Sequence, residues 1–385
     1  MKSIVLKLKF KELILLGTFL VTISCVKAEY LTIDPKNPMS LISSYLMSLT
    51  GLATTEAPVI PSASTDSVNC SYIKTSVTAS TTGTVTVYCD TTYAYMSSDA
   101  YPTHTMMNGI TGTNLQVPTA QSFSGTTAWK IPLNPAVATT TTSPTTGPIG
   151  MAINGVLLYN PCKQQEGCSS TSGDTKALGE LDTCNGHAGR SDDYHYHAAP
   201  TCMMAGQSTT YWNTHPVGWL FDGFALYGYY DSTGSVATRD TVCGGNTNTV
   251  YNGPSGYSYH LTDTFPYILS CLRGTPSSDF AGQAAHFTNL RNDPVTPFTV
   301  SSMTLTTDSS GYSVLQFTSS STFFTRVTNS TYSIPNSSGV NQIKYKQLTG
   351  TDLTTALASA GTGKTKCWNF QFPNAASSTN INFCR

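Results

Sequence analysis

Five of the seven histidines in this chain of 385 residues, His187, His195, His197, His215 and His260, fall within one stretch of 74 residues. Imidazole changes charge near neutral pH and is a common metal ligand, so such a cluster is where chemistry is sought first. The densest part is Tyr194-His195-Tyr196-His197. In a strand, residues i and i+2 share a face. His195 and His197 then point one way, and Tyr194 and Tyr196 the other. Two such imidazoles can hold one ion, and His187, in Asp182-Thr183-Cys184-Asn185-Gly186-His187, is the obvious third ligand. Asp182, Asp192 or Asp222 could add an oxygen ligand or, with Asn185, Tyr194 and Tyr196, a supporting hydrogen bond. Copper or zinc suits the imidazoles, whereas calcium suits carboxylates and carbonyls. A bland alternative stands beside this reading: alternating His and Tyr can be a buried polar network, each ring bonded to a carbonyl or carboxylate.

The motif is echoed downstream. Asp182…Cys184-Asn185-Gly186 followed by Tyr194-His195-Tyr196-His197 resembles Asp240…Cys243-Gly244-Gly245 followed by Tyr257-Ser258-Tyr259-His260. Two such units facing one another would bring His260 toward His195 and His197. Between them runs Gly218 to Gly228, an aromatic stretch with Asp222-Gly223 at its centre, readable as a strand with a buried carboxylate or as a turn.

The elements that position these residues read as mainly β. Thr82–Cys89 alternates, alternation begins from Ser67, and a strand is expected over Ile149–Tyr159 after a Thr/Pro-rich break at Ala138–Gly147. Residues 176–275 read as loops on short strands, and 295–350 return to alternation. Helices are expected at Leu41–Leu52 and around Thr351–Ala360. The resulting expectation is a disulfide-stapled, β-sandwich-like domain with long irregular loops over 67–275 and a C-terminal β-rich extension over 276–385.

Charged residues make up 11% of the chain, against roughly 25% in ordinary globular proteins, and Ser, Thr, Asn and Gln fill about 35% of it. That balance fits an exterior protein. With no basic excess, nucleic acid is not an expected partner. Residues 1–28 read as a signal peptide: early lysines, an apolar run from Leu13 to Ile23, and Val26-Lys27-Ala28 before a cleavage site. Residues 29–66 read as a lead-in linker, and lipidation of Cys25 is a competing possibility. No later stretch is apolar enough to span a membrane. Ten cysteines remain, which pair by proximity as Cys70 with Cys89, Cys162 with Cys168, Cys184 with Cys202, Cys243 with Cys271, and Cys367 with Cys384. The product is expected outside the cell or at its surface, or in the periplasm of a Gram-negative source. Asn69, Asn329 and Asn336 begin glycosylation sequons. Ala358–Thr365 mimics a nucleotide-binding loop, but a strand before it and a helix after it would be needed.

Taken together, Tyr194–His197, Leu181–His187, Ala152-Ile153-Asn154-Gly155-Val156, Gly218–Gly228 and Thr264–Cys271 resemble the YHYH protein family across roughly residues 67–275. Tyr101-Pro102-Thr103-His104 resembles a Pro-x-His segment of that family, which would bring His104 into the cluster. The resemblance implies an exported β-rich domain and no established reaction. Three functions therefore remain open. One is binding of a metal ion or small ligand. Another is a structural role among cell-surface or matrix components. The third is a metal-dependent extracellular hydrolase or oxidase using Asp222 or Asp182 as base.

Overall fold

The residues between Gly218 and Gly228 form a hairpin, because Asp222-Gly223 makes its turn: Gly223 sits at φ +88°, and its amide donates to the Leu220 carbonyl over 2.9 Å. The same device bends Ile149–Tyr159 at Asn154-Gly155, where Gly155 has φ +83°, so the one strand expected there is two. The computed structural model describes residues 67–385 apart from 113–115, 145–146, 164–167, 248–255, 292–299, 321–322, 328–331, 337 and 375–378. The expected leader over 1–28, Cys25, the linker, the Leu41–Leu52 helix and Asn329 lie outside the described residues.

The described residues are mainly β and belong to one compact unit. Strands β1 (Thr86–Cys89), β2 (Tyr93–Ser97) and β3 (Trp129–Pro132) form a three-stranded sheet. Strand β4 (Val137–Thr142) uses the threonine run that reads as a break in the sequence, since β-branched side chains favour extended backbone. The central sheet is built from four pairs in chain order. They are β5 (Pro148–Ala152) with β6 (Leu157–Tyr159), β7 (Gly186–Ala188) with β8 (Tyr194–Tyr196), β9 (Gly218–Leu220) with β10 (Ala225–Tyr227), and β11 (Gly245–Asn246) with β12 (Ser258–His260). Its spatial order is β11-β12-β10-β9-β5-β6-β8-β7. Strand β13 (Leu272–Gly274) pairs with β4.

The alternation expected from Ser67 is instead a helix, Val68–Val77, with the Ser67 hydroxyl accepting from the Cys70 amide. It buries Cys70, Ile73 and Val77, and its Ser76 hydroxyl accepts from the Trp219 indole at 2.9 Å. The amide nitrogen of Asn69 donates to the Leu133 carbonyl at 2.6 Å, so the sequon there carries a nitrogen already in use. The five disulfides join the neighbouring cysteines: Cys70–Cys89, Cys162–Cys168, Cys184–Cys202, Cys243–Cys271 and Cys367–Cys384. Among the described residues no helix is long and apolar enough to cross a membrane.

Toward the C-terminus come β14 (Val300–Thr307), β15 (Ser313–Ser319), β16 (Phe323–Val327), β17 (Tyr332–Asn336), β18 (Gly339–Gln347), β19 (Cys367–Phe372) and β20 (Thr379–Cys384). Five of these make a sheet in the order β14-β15-β18-β19-β20, and β16 pairs with β17. A helix over Gly350–Ala360 precedes the glycines of the nucleotide-loop mimic, the reverse of what that motif requires. The five-stranded sheet shares the core with the central one, and buried cations key the join. Arg291 pairs with Asp192 at 2.9 Å, both almost fully buried, and lies over the Phe370 ring. Arg385 donates to Gln121, Ser191, Thr119 and Ala120. Asp192 is therefore structural.

Removing one partner of a buried ion pair leaves the other charge uncompensated. Asp192→Asn keeps the left-handed backbone at this position (φ +56°), which Asn tolerates. It is expected to cost about 3–5 kcal/mol in urea unfolding, and far less when Arg291 is already Met.

Candidate functional site

Strand β8 places its side chains as the two-residue period requires, and the antiparallel partner β7 sets His187 directly opposite His195. Three imidazoles meet on that face. His197 Nε2 lies 3.1 Å from His195 Nε2 and 3.1 Å from His187 Nε2. All three side chains are buried, and among the described residues no carboxylate or thiol belongs to their cluster.

What each ring does with its other nitrogen decides the chemistry. His187 Nδ1 faces the Glu180 carbonyl at 3.0 Å, and His197 Nδ1 faces the Asn160 carbonyl. His195 Nδ1 faces both the carbonyl and the carboxylate of Asp193, at 3.1 and 3.0 Å. Every one of these partners is an acceptor, so every Nδ1 must carry a proton. In the neutral ring Nε2 then has a lone pair and no hydrogen. The two inward contacts are thus acceptor against acceptor, not hydrogen bonds. A buried acceptor without a donor costs roughly 1–3 kcal/mol, so three converging ones are an expensive core, and their geometry is one that could hold a metal ion.

Electrostatics favour the neutral form of His187 and His197. Burial, then the proximity of His197 and His195, holds the His187 pKa well below its ordinary value. Burial and His195 push His197 down to about 3. Tyr159 stacks on His195 with ring centroids 3.8 Å apart, and its hydroxyl donates to Asp193 Oδ2 at 3.0 Å.

The opposite face of β8 has another job. Tyr194 donates to Asp182 Oδ2 at 2.7 Å, and the same carboxylate accepts the amides of Met107, Cys184 and Gly186. Asp182 therefore shapes the Cys184–Gly186 turn and makes no contact with the trio. Asn185, left-handed at φ +65°, donates its side-chain amide to Ala199, and its carbonyl receives the His197 amide. His104, expected to join the cluster, stands on this tyrosine face. Its Nδ1 donates to the Thr105 carbonyl, so Nε2 accepts the Tyr196 hydroxyl at 2.6 Å. The geometric grouping of His104 with Cys184 and Cys202 offers no thiolate, since those two cysteines are bridged.

His260 is not brought to the trio either. The two units lie side by side in one sheet instead of facing each other, and β10, β9, β5 and β6 separate β12 from β8. Asp222 sits in the β9–β10 turn, accepting Tyr259 at 2.6 Å and the amides of Arg273 and Gly274. Neither Asp182 nor Asp222 is placed to act as a base at the histidines. Sequence reasoning missed Asp193 and Tyr159, although Asp193 precedes His195 by the same two-residue step. It also missed the carbonyls of Asn160 and Glu180, which no residue type announces.

A model of the YHYH protein family matches residues 128–256, a stretch that contains all three clustered histidines and excludes both His104 and His260. Over those residues, about a third of its length, the chain is similar to the YHYH protein family. No curated protein and no solved structure matches the chain. The YHYH name thus falls on the strand whose two faces divide the work: histidines toward the trio, tyrosines toward Asp182 and His104.

The depressed His197 pKa fixes a pH dependence. Between about 3 and the unfolded value near 6.5, the unfolded chain binds the extra proton. The metal-free protein should therefore keep this stability above about pH 6.5 and lose it as pH falls, by up to about 1.4 kcal/mol per unit for each such histidine. His197→Gln should decline less steeply than wild type when urea unfolding is followed from pH 7 to 4 in chelator.

Proposed function

We propose that this chain is an exported metal-binding protein in which His187, His195 and His197 hold one divalent transition-metal ion through their Nε2 atoms. The observation that carries this reading is the convergence of three proton-free Nε2 atoms, each ring fixed by an Nδ1 donation to an oxygen. Tetrahedral nitrogen ligands at about 2.0–2.1 Å from an ion stand roughly 3.3 Å from one another. The 3.1 Å separations match that spacing closely. The carbonyl and carboxylate partners are the outer support that metal-bound imidazoles ordinarily have. An all-nitrogen donor set favours zinc or copper over calcium or magnesium. Three protein ligands leave a fourth position for water or a small ligand. The five disulfides support an oxidising compartment.

A purely structural polar core is a weaker account of the histidine face, because a neutral trio has no hydrogen to share among its inner nitrogens. It accounts well for the tyrosine face, where every polar atom described has a donor or acceptor to meet.

The test is elemental analysis and calorimetry on protein prepared without chelator. Wild type should carry one equivalent of zinc or copper. Stripped protein should regain stability on titration, about 2.7 kcal/mol at a hundredfold excess over Kd. His195→Ala/His197→Ala should stay folded and bind none. Metal-free wild type that no divalent ion stabilises would sink the reading.

A further inference from the structure

The central sheet repeats itself. From its middle outward, one half runs β5-β6-β8-β7 and the other β9-β10-β12-β11, in the same chain order and with the same strand senses. The join is symmetric to the residue. Met151 and Trp219 occupy equivalent positions and face each other, while Gly150 faces Leu220 and Gly218 faces Ala152. Following the registers outward, Leu158 corresponds to Leu226, Tyr196 to Tyr259, Gly186 to Gly245, His187 to Asn246 and His195 to Ser258. His197 corresponds to His260.

The supporting interactions repeat as well. Tyr257 donates to Asp240 Oδ2 at 2.6 Å, as Tyr194 does to Asp182. Tyr259 meets Asp222 where Tyr196 meets Asn154, each in the turn of its hairpin. A Cβ on Gly245 would strike the Tyr257 ring, just as one on Gly186 would strike Tyr194. Cys243–Cys271 ties the second Asp loop forward as Cys184–Cys202 ties the first. Most telling, His260 Nδ1 faces the Gly228 carbonyl at 3.1 Å, the position that Asn160 fills for His197. That partner is an acceptor, so the ring has the tautomer of a ligand. Beside it the Ser258 hydroxyl is buried with no hydrogen-bond partner among the described residues, at the position where the first half inserts an imidazole.

We infer that the sheet is a tandem pair of like halves, and that Asn246, Ser258 and His260 mark the position of a second transition-metal site that lacks two of its three imidazoles. This rests on the metal reading of the first site. The second half keeps the fold, the carboxylate–tyrosine hub and one correctly oriented histidine. A single imidazole does not hold a zinc or copper ion against water, so the present chain takes one ion and not two.

The experiment restores the ligands in the full chain. Zinc content and cobalt spectra are compared for wild type, for Asn246→His/Ser258→His, and for the same pair added to His195→Ala/His197→Ala. The expected equivalents are one, two and one. A folded Asn246→His/Ser258→His protein that still takes one ion, beside a wild type that takes one, overturns the second site and leaves the first standing. A wild type that takes none sinks the first reading instead. Should the paired variant not fold, Ser258→His alone in the His195→Ala/His197→Ala background creates a His-x-His pair with His260. It is expected to gain a copper equivalent that the background lacks, and no gain there overturns the inference.

Discussion

Three N–H groups pointing outward set the orientation of every ring in the histidine trio. Because the Nδ1 atoms of His187, His195 and His197 each donate to an oxygen, their Nε2 lone pairs are turned inward, where among the described residues they meet one another. Each oxygen comes from a different place: the segment before β7, the residue before β8, and the end of β6. The trio therefore exists only when the hairpin, the parallel β6–β8 pairing and the edge strand β7 are all in register. A one-residue slip of β8 would turn both histidines to the other side of the sheet and put the tyrosines in their place.

The same slip explains why the other face is so heavily built. Asp182 gathers three backbone amides and a phenol, the disulfide to Cys202 closes its loop, and Tyr196 is gripped by both Asn154 and His104. Charge-assisted bonds of this kind are worth roughly 1.5–3 kcal/mol each, enough to fix register against the cost of the opposing lone pairs. The tyrosines of the motif are thus a register lock, and the histidines form the opposite face, which explains why the two residue types alternate.

Much of this was legible in the residues. His-x-His on a strand, with His187 behind an Asp-led turn, is a local pattern, and local patterns survive folding. The Asp222-Gly223 turn was equally visible as one of two readings. What the sequence did not show falls into two physical kinds. Backbone carbonyls such as those of Asn160 and Glu180 are contributed by every residue type, so no letter marks them. Long-range placement was the other blind spot: His104 and His260 look like cluster members by type, and only the strand order reveals that one lies on the tyrosine face and the other across four intervening strands. The helix at Val68–Val77 escaped because its polar composition gives little periodicity, and its stability comes from the Cys70–Cys89 bridge and the contact with Trp219.

The two halves of the sheet act as a control built into one chain. The second half has Asn246 and Ser258 at the positions of His187 and His195 yet shares the strand order, the parallel crossover, the Asp–Tyr bond as Asp240–Tyr257, and a buried histidine bonded to a carbonyl. The scaffold therefore stands without the trio. If converging imidazoles were a requirement of the fold, the second half should have kept them or replaced them with a well-paired apolar core. Instead it has a buried serine hydroxyl without a hydrogen-bond partner among the described residues. The strand order alone therefore does not require converging imidazoles, and their burial in the first half is the feature that the proposed ion would offset.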